Sequence, residues 1–106
     1  MNIQFKKGVL ELCVLSLLAK GDRYGYELAS SLSQSIDISD GTIYPILRRL
    51  KEEGFVTTYL QEASGGPPRK YYALTDSGVL EQKKLEQEWV EFVECVNVVL
   101  KEGTIQ

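Results

Sequence analysis

The segment SDGTIYPILRRLKEEG, residues 39–54, has the two-faced pattern of a short helix packed on a protein core. Its apolar residues recur at i, i+3, i+4 and i+7, which places them on one buried stripe: Ile43, Ile46, Leu47 and Leu50. The opposite face carries Thr42, Tyr44, Pro45, Arg48, Arg49 and Lys51. A cationic, hydroxyl-bearing face of this kind suits a helix that enters a DNA major groove. Many solvated surface helices carry the same residues, so this segment alone leaves both interpretations open.

The ends of this helix are marked by residues that stop or start helices. Ser39 or Asp40 is expected to cap its first turn by accepting a hydrogen bond from a free backbone N–H. Gly54 is expected to provide a left-handed C-terminal stop. Pro45 lacks an N–H and crowds the carbonyl of Gly41, four residues earlier, so we expect a distorted start and not a break.

Two further helices are predicted before this segment. The first covers about Lys6–Lys20, and nine of the eleven residues from Val9 to Ala19 are apolar. A helix that is apolar nearly all round must be covered on more than one side, which indicates a partner subunit. Gly21 and Asp22 end it, and a second helix is predicted over about Tyr24–Gln34.

A β-hairpin is predicted directly after the third helix. Phe55–Glu62 and Arg69–Thr75 are rich in β-branched and aromatic residues, which favour strands. Ala63–Pro68 has the glycine and proline content of a turn. The hairpin carries Arg69 and Lys70 beside that turn.

A long final helix, capped by Thr75 or Asp76, is predicted to run to about Lys101. It has an apolar seam whose members are spaced 4, 3, 4, 3, as in a heptad: Leu85, Trp89, Phe92, Val96 and Val99. The seam is only about two heptads long, so it predicts packing against another subunit more than a full coiled coil.

This order of elements predicts a mainly α (α+β) fold, a winged helix-turn-helix with a C-terminal dimerisation helix. Residues 1–75 would form the DNA-binding part with its N-terminal helix, and residues 76–106 the dimerisation helix, in one compact domain overall. Arg69 and Lys70 at the wing would contact the DNA backbone or minor groove. The alternative is that these cations are solvated surface charges, with Glu52 and Glu53 as partners on the third helix.

The composition of the chain argues against other classes of function. The chain has 106 residues, 43% of them hydrophobic and 25% charged, as in an ordinary single globular domain. Its net charge is −3 because residues 76–106 contribute −4, so the acidity need not oppose a basic patch elsewhere. With no histidine and no cluster at metal-ligand spacing, we expect no enzyme, no metal site and no cofactor.

The two cysteines, Cys13 and Cys95, are expected to be small buried hydrophobic residues. Two lone thiols and no secretion signal are typical of a reducing cytoplasm, where we expect the protein to reside. The longest apolar run is too short for a bilayer, which takes roughly 20 residues, and we expect no membrane partner. Trp89 has two interpretations: a core residue or, in a dimer, one of two indoles that stack on a flat aromatic ligand.

Three stretches together resemble a known family. Residues 41–56 and 66–78, with the segment Gly21–Leu28, are similar to the PadR family of bacterial transcriptional regulators. The resemblance covers about residues 9–99. The short final helix is similar to that of a compact subgroup that includes multidrug-sensing repressors.

The resemblance implies a homodimer in which the first and last helices pack against the partner's. It implies that double-stranded operator DNA is bound by two recognition helices and two wings. The residues that match the family's DNA-binding positions are Thr42, Tyr44, Pro45, Arg48, Arg49, Gly66, Arg69 and Lys70. It further implies repression, relieved when a small molecule binds or when a signal alters the dimer angle.

Trp89 falls where compact members place a tryptophan that stacks on planar drugs at the dimer centre. One turn later such members can carry an acid, but this chain has Val93 there. Glu11 on the first helix would be an alternative source of charge, and Leu12 beside it completes the candidate ligand site. We therefore expect a dimeric regulator, in particular a repressor with a planar aromatic effector. The competing hypothesis is a winged-helix module that binds small molecules or proteins and has no specific DNA site.

Overall fold

Helices and strands follow one another in the predicted order in the computed structural model, which describes residues 3–62 and 65–104. Side chains are described for residues 8–39, 41–62 and 65–102. The elements are α1 (Ile3–Ala19), β1 (Arg23–Tyr24), α2 (Gly25–Ser33), a 3-10 turn (Asp40–Thr42), α3 (Ile43–Glu52), β2 (Val56–Gln61), β3 (Arg69–Leu74) and α4 (Asp76–Thr104). The predicted mainly α (α+β) winged-helix fold is confirmed.

The core lies between α1, α2, α3 and the inner face of the hairpin. Its buried apolar side chains are Leu10, Val14, Leu15, Leu18, Leu28, Ala29, Leu32, Ile43, Ile46, Leu47, Leu50, Val56 and Tyr72. The predicted stripe of α3 is confirmed, because all four of its members belong to this set. Burial of a leucine or isoleucine side chain contributes about 1.5–3 kcal/mol, so this stripe is the main force that holds α3 in place.

The start of α3 differs from the prediction in one respect. The hydroxyl of Ser39 bonds that of Thr42, with 2.9 Å between the oxygens, and makes no hydrogen bond to the helix backbone. The predicted cap by Ser39 is therefore wrong. The alternative cap, by Asp40, lies outside the described side chains. A 3-10 turn leads into α3, and Pro45 falls within the helix without breaking it, as expected.

The sheet contains a strand that the sequence did not predict. β1 has two residues and pairs antiparallel with β3, with Tyr24 opposite Tyr71, so the strand order is β1-β3-β2. β2 and β3 form the predicted hairpin, in a register that runs from Val56 opposite Leu74 to Gln61 opposite Arg69. Tyr24 was expected in the second helix, but it belongs to β1, and α2 begins one residue later. Residues 63–64 of the predicted turn lie outside the described ranges.

The end of α3 is tied to the start of α4. Gly54 has φ +83°, the left-handed stop that was predicted. Its carbonyl accepts hydrogen bonds from the hydroxyls of Thr75, at 2.6 Å, and Ser77, at 2.9 Å. The hydroxyl of Thr75 also accepts a hydrogen bond from the N–H of Gly78 at 3.1 Å, so the predicted cap by Thr75 is confirmed. A side chain at Gly78 would overlap the carbonyl of Phe55, which fixes how closely α4 approaches the hairpin.

α4 is the longest element, with 29 residues. Leu85 packs half-buried against the core. With α4 included, the molecule is 63 Å long and 28 Å by 21 Å across. Beyond Leu85 most of the seam is exposed to solvent: Trp89 is 36% exposed, Phe92 52% and Val99 65%. No helix among the described residues is long and apolar enough to cross a membrane.

Candidate nucleic-acid interface

The outer face of α3 is exposed along its length. Tyr44, Pro45, Arg48, Arg49 and Lys51 all lie on the surface, whereas Thr42 is half-buried in the preceding turn. With 3.6 residues per turn, Arg48 lies opposite the buried stripe, while Tyr44 and Arg49 lie on its two flanks. These two flanks contact different neighbouring helices, and Arg48 between them faces solvent.

Tyr44 holds one flank of α3 against the start of α2. Its ring lies over Gly25, where an added Cβ would come within 2.9 Å of Tyr44 Cε1. The ring is still 46% exposed, so its hydroxyl edge is accessible. Gly25 therefore gives the tyrosine the room to lie flat between two helices while it remains on the surface.

Arg49 holds the other flank. Its Nη1 lies 3.1 Å from Oε1 of Glu11 on α1, and its Nε–H donates to Oε1 of Glu53 at 3.2 Å. The hydrogen bond that Arg49 donates to Glu53, and then the charge of Glu11, raise the pKa of Arg49. Arg48, one residue earlier, makes no ion pair within the described parts of the chain. The two arginines are thus adjacent in sequence but differ in what their guanidinium groups contact.

The two cationic side chains of the wing lie against aromatic rings. The guanidinium carbon of Arg69 lies 4.6 Å from the ring centroid of Tyr24, and Nζ of Lys70 lies 5.7 Å from that of Tyr72. Both distances are within the range of a cation–π contact. Gly66 is exposed beside them. The rings of the sheet therefore hold the two wing cations at its edge while leaving both exposed.

A row of tyrosines across the sheet was not predicted as part of this surface. Tyr71 has Tyr59 on one side, with 5.7 Å between ring centroids, and Tyr24 on the other, at 5.6 Å. The hydroxyl of Tyr59 donates to Oδ2 of Asp22 at 2.7 Å, which raises the pKa of Tyr59. The row ties the wing to the turn between α1 and α2. The signal in the sequence was the repeated tyrosine in residues 24–26 and 71–72, but only the register of β1 shows that these rings meet.

The recognition helix and the wing share one cleft. It is lined at the surface by Tyr26, Tyr44, Arg69 and Lys70, with Gly25 at its base. Two cations and two phenol hydroxyls in one concave surface are suited to phosphate oxygens. Tyr26 was not singled out from the sequence, although it is the most exposed tyrosine among the described residues.

Trp89 lies between two apolar grooves on the other side of α1. Leu12 lines both grooves, Phe92 lines one, and Cys13 lines the other. Two of the four candidate ligand residues, Leu12 and Trp89, are thus brought together. Glu11 instead pairs with Arg49, and Val93 is half-buried but lines neither groove. Glu88 is an acid at the edge of the first groove that the sequence analysis did not select.

Comparison with known proteins gives consistent results. A model of the transcriptional regulator PadR-like family matches residues 14–86. The chain is 33% identical over 108 residues to the transcriptional regulator YqjI of Escherichia coli (strain K12), covering 93% of this chain and 50% of that protein. It is 38% identical over 74 residues to the negative transcriptional regulator PadR of Bacillus subtilis (strain 168), covering 66% of this chain and 41% of that protein. The chain therefore spans half or less of these two curated relatives.

A solved structure matches along nearly the whole length. The crystal structure of a PadR-like transcriptional regulator from Bacillus cereus strain ATCC 14579 superposes with a TM-score of 0.83 at 38% identity, covering 92% of this chain and 96% of that chain. Within the described residues there is no group of three or more histidine, cysteine, aspartate or glutamate side chains that could hold a metal ion.

Proposed function

The chain belongs to the PadR-like family of transcriptional regulators, and on that premise we propose that it is a dimeric, sequence-specific DNA-binding repressor. Regulators of this family bind DNA and are not enzymes. The observation that carries the proposal is the exposed guanidinium of Arg48 on the outer crest of α3, which makes no ion pair with the described residues. On the same helix, Tyr44 lines one cleft together with the wing cations Arg69 and Lys70.

In this proposal α3 enters the major groove and the wing follows the backbone. Arg48 contacts base edges or phosphate, and its neighbours Thr42, Tyr44 and Pro45 contact the flanking backbone. Gly66, Arg69 and Lys70 contact phosphates or the minor groove from the wing. Arg49 lies on the same helix, on the flank that contacts α1.

Dimerisation is the second part of the proposal. Residues 1–75 would form the DNA reader and residues 76–106 the helix that joins two readers. The seam of Leu85, Trp89, Phe92, Val96 and Val99 would pack on the partner subunit. The exposure of Trp89, Phe92 and Val99 supports this, because large apolar side chains side by side on a surface are typical of interaction sites.

Selection of a binding site from random duplex DNA, followed by anisotropy titration of the selected duplex and a scrambled control, tests the proposal. The protein should prefer the selected duplex by about 1,000-fold or more, and its affinity should fall steeply with salt because phosphate contacts release counterions. Arg48→Ala should weaken specific binding by about tenfold or more, since a good arginine–base pair contributes about 1–3 kcal/mol. A protein that selects no sequence and shows little salt dependence would instead support the winged-helix module that lacks a specific DNA site.

A planar aromatic effector is a second proposal, and the groove lined by Leu12, Phe92 and Trp89 supports it. An indole at the edge of an apolar groove can stack on a flat ring. The probe is a planar cationic dye, added while the emission of Trp89, the sole tryptophan, is recorded. The dye should quench that emission and weaken operator binding. If calorimetry shows that Trp89→Ala binds the dye as tightly as the parent, the groove is not the effector site.

A further inference from the structure

Two neighbouring arginines on α3 differ in their surroundings, and the difference separates two roles. Arg48 points to solvent, whereas the guanidinium of Arg49 bridges two carboxylates. One of them, Glu53, lies on α3 itself, four residues later, and that contact stiffens the helix without fixing its position. The other, Glu11, lies on α1, so its contact joins two helices that are far apart in sequence.

The contact with Glu11 is better sheltered than an ordinary surface pair. The side chain of Glu11 is 17% exposed and that of Arg49 58%. Partial shelter from water strengthens such a pair, because screening by solvent and salt is weaker there. It is also placed on the flank of α3, off the line of the buried stripe. An attachment on the flank resists rotation of a helix about its own axis, which the stripe of Ile43, Ile46, Leu47 and Leu50 alone resists less.

α1 is also the helix that borders the grooves beside Trp89. Leu12, the residue after Glu11, lines both of them. One element therefore contacts the recognition helix through Glu11 and the dimerisation helix through Leu12. The pair of Glu11 and Arg49 is therefore one contact through which a shift of α1 would act on α3.

We propose that Arg49 and Glu11 are positioning residues for operator binding: their ion pair sets the rotation of α3 on α1, and Arg48 is the arginine of α3 that contacts DNA. The proposal rests on the proposed DNA-binding function and assigns two of its residues. Arg49 acts through Glu11, and its guanidinium is not a DNA contact.

The direction in which Glu11→Gln changes the affinity for DNA distinguishes the positioning role from a direct DNA contact by Arg49 and from a simple charge effect. Glu11→Gln removes a negative charge near the DNA-binding surface, and simple electrostatics would then strengthen DNA binding. A direct DNA contact by Arg49 would also be strengthened, because a competing carboxylate is gone. The positioning role predicts the opposite, a loss of affinity of about three- to fivefold, the size expected for one such pair. Glu53→Gln is the matched control: it removes the same charge from the same guanidinium but leaves the contact between helices, so affinity should not fall.

The salt dependence of affinity gives the second readout. Loss of an arginine that contacts phosphate lowers the slope of log affinity against log salt by about one. Arg48→Ala should therefore weaken binding and lower the slope if its contact is to phosphate, while Arg49→Ala should weaken binding with the slope unchanged. The double variant Glu11→Gln, Arg49→Ala should bind about as weakly as Arg49→Ala alone, because the contact between α1 and α3 is already broken in Arg49→Ala.

The experiment is anisotropy titration of a selected duplex at four salt concentrations with the parent and these variants in the full chain. If the parent selects no sequence, the proposed function is wrong. If the parent does bind, the affinities of its variants test the inference. Unchanged or tighter binding by Glu11→Gln overturns the inference, as does a slope that falls by about one in Arg49→Ala. If a single variant does not fold by circular dichroism, two charge swaps of equal net charge are compared. Binding by Glu11→Arg, Arg49→Glu at least threefold tighter than by Glu53→Arg, Arg49→Glu supports the inference, and equal binding overturns it.

Discussion

The body of the chain and the outer half of α4 use apolar residues in opposite ways. In the body, the α1, α2, α3 and hairpin side chains close on one another, and every buried apolar side chain of the described residues belongs to them. From Trp89 to Leu100, α4 also carries large apolar side chains, but most of them, including Trp89, Phe92 and Val99, are exposed. This difference supports the proposal that the body is the DNA-binding part and that the outer half of α4 packs on a second chain.

The junction between the body and α4 determines how the two are oriented relative to each other. Gly54 at the end of α3 accepts hydrogen bonds from Thr75 and Ser77 at the start of α4. The direction in which α4 leaves the body is thus fixed relative to the recognition helix. A dimer formed through α4 would consequently hold two copies of α3 at a set spacing, which palindromic half-sites require.

Truncation of one leucine in each region should give the largest difference, measured as a change in the free energy of unfolding. Leu47→Ala removes a buried side chain of α3 and should lower the free energy of unfolding by about 2–5 kcal/mol. Leu80→Ala makes the same change at an exposed position of α4, off the heptad seam, and should alter it by less than about 0.5 kcal/mol. Urea unfolding followed by circular dichroism, at one protein concentration, measures both. Similar losses in the two variants would mean that the body is not the closed unit described above.

Charges on the open seam should separate the two chains without unfolding the body. Phe92→Glu with Val99→Glu places two carboxylates where a partner helix would pack, and burying them unpaired would cost several kcal/mol. Sedimentation velocity should show a dimer for the parent and a monomer for this double variant at tens of micromolar. Asn97→Glu is the control, because it adds a charge to an exposed position of α4 that lies off the seam. A dimeric double variant would contradict the assignment of the seam.

The two cysteines differ in burial in the same way as the two regions, and the expected effect is smaller. Burial raises the pKa of the Cys13 thiol, so less of the reactive thiolate is present at neutral pH, and the side chain is half-buried as well. Cys95 is exposed on the outer half of α4, so the expectation that both cysteines are buried is wrong for Cys95. In the monomeric double variant, iodoacetamide should therefore alkylate Cys95 faster than Cys13, as measured by mass spectrometry over a time course. Equal rates would show that the body admits the reagent as freely as α4 does.

Local patterns were sufficient to predict most of the fold. The i, i+3, i+4, i+7 spacing in residues 43–50 gave the buried stripe of α3, and glycine gave its stop at Gly54, because both depend on neighbours in sequence. β1 could not be predicted in the same way. Its two residues are a strand only because β3 offers Tyr71 and Tyr72 as partners, and that pairing is remote in sequence.

The candidate site was predicted as a set of positions but not as a set of contacts. The periodicity of α3 places Arg48 and Arg49 outside its stripe and treats them alike. Only the packing of α1 on α3 shows that Arg49 meets Glu11, which had been considered for a ligand site on the other side of α1. The cap by Ser39 was also wrong, since its hydroxyl bonds the side chain of Thr42 and no backbone N–H of the helix. Side-chain partners depend on tertiary distances, which spacing along the chain does not contain.

Hydroxyl-radical footprinting of a selected duplex tests most directly the claim that a complete reader is presented twice by α4. The parent should protect two patches whose centres lie about 10 base pairs apart, or a multiple of that, since each recognition helix covers one half-site. The monomeric double variant should lose this pattern at the same concentration. A single protected patch for the parent at saturation, or two patches that persist in the monomeric variant, would contradict the account.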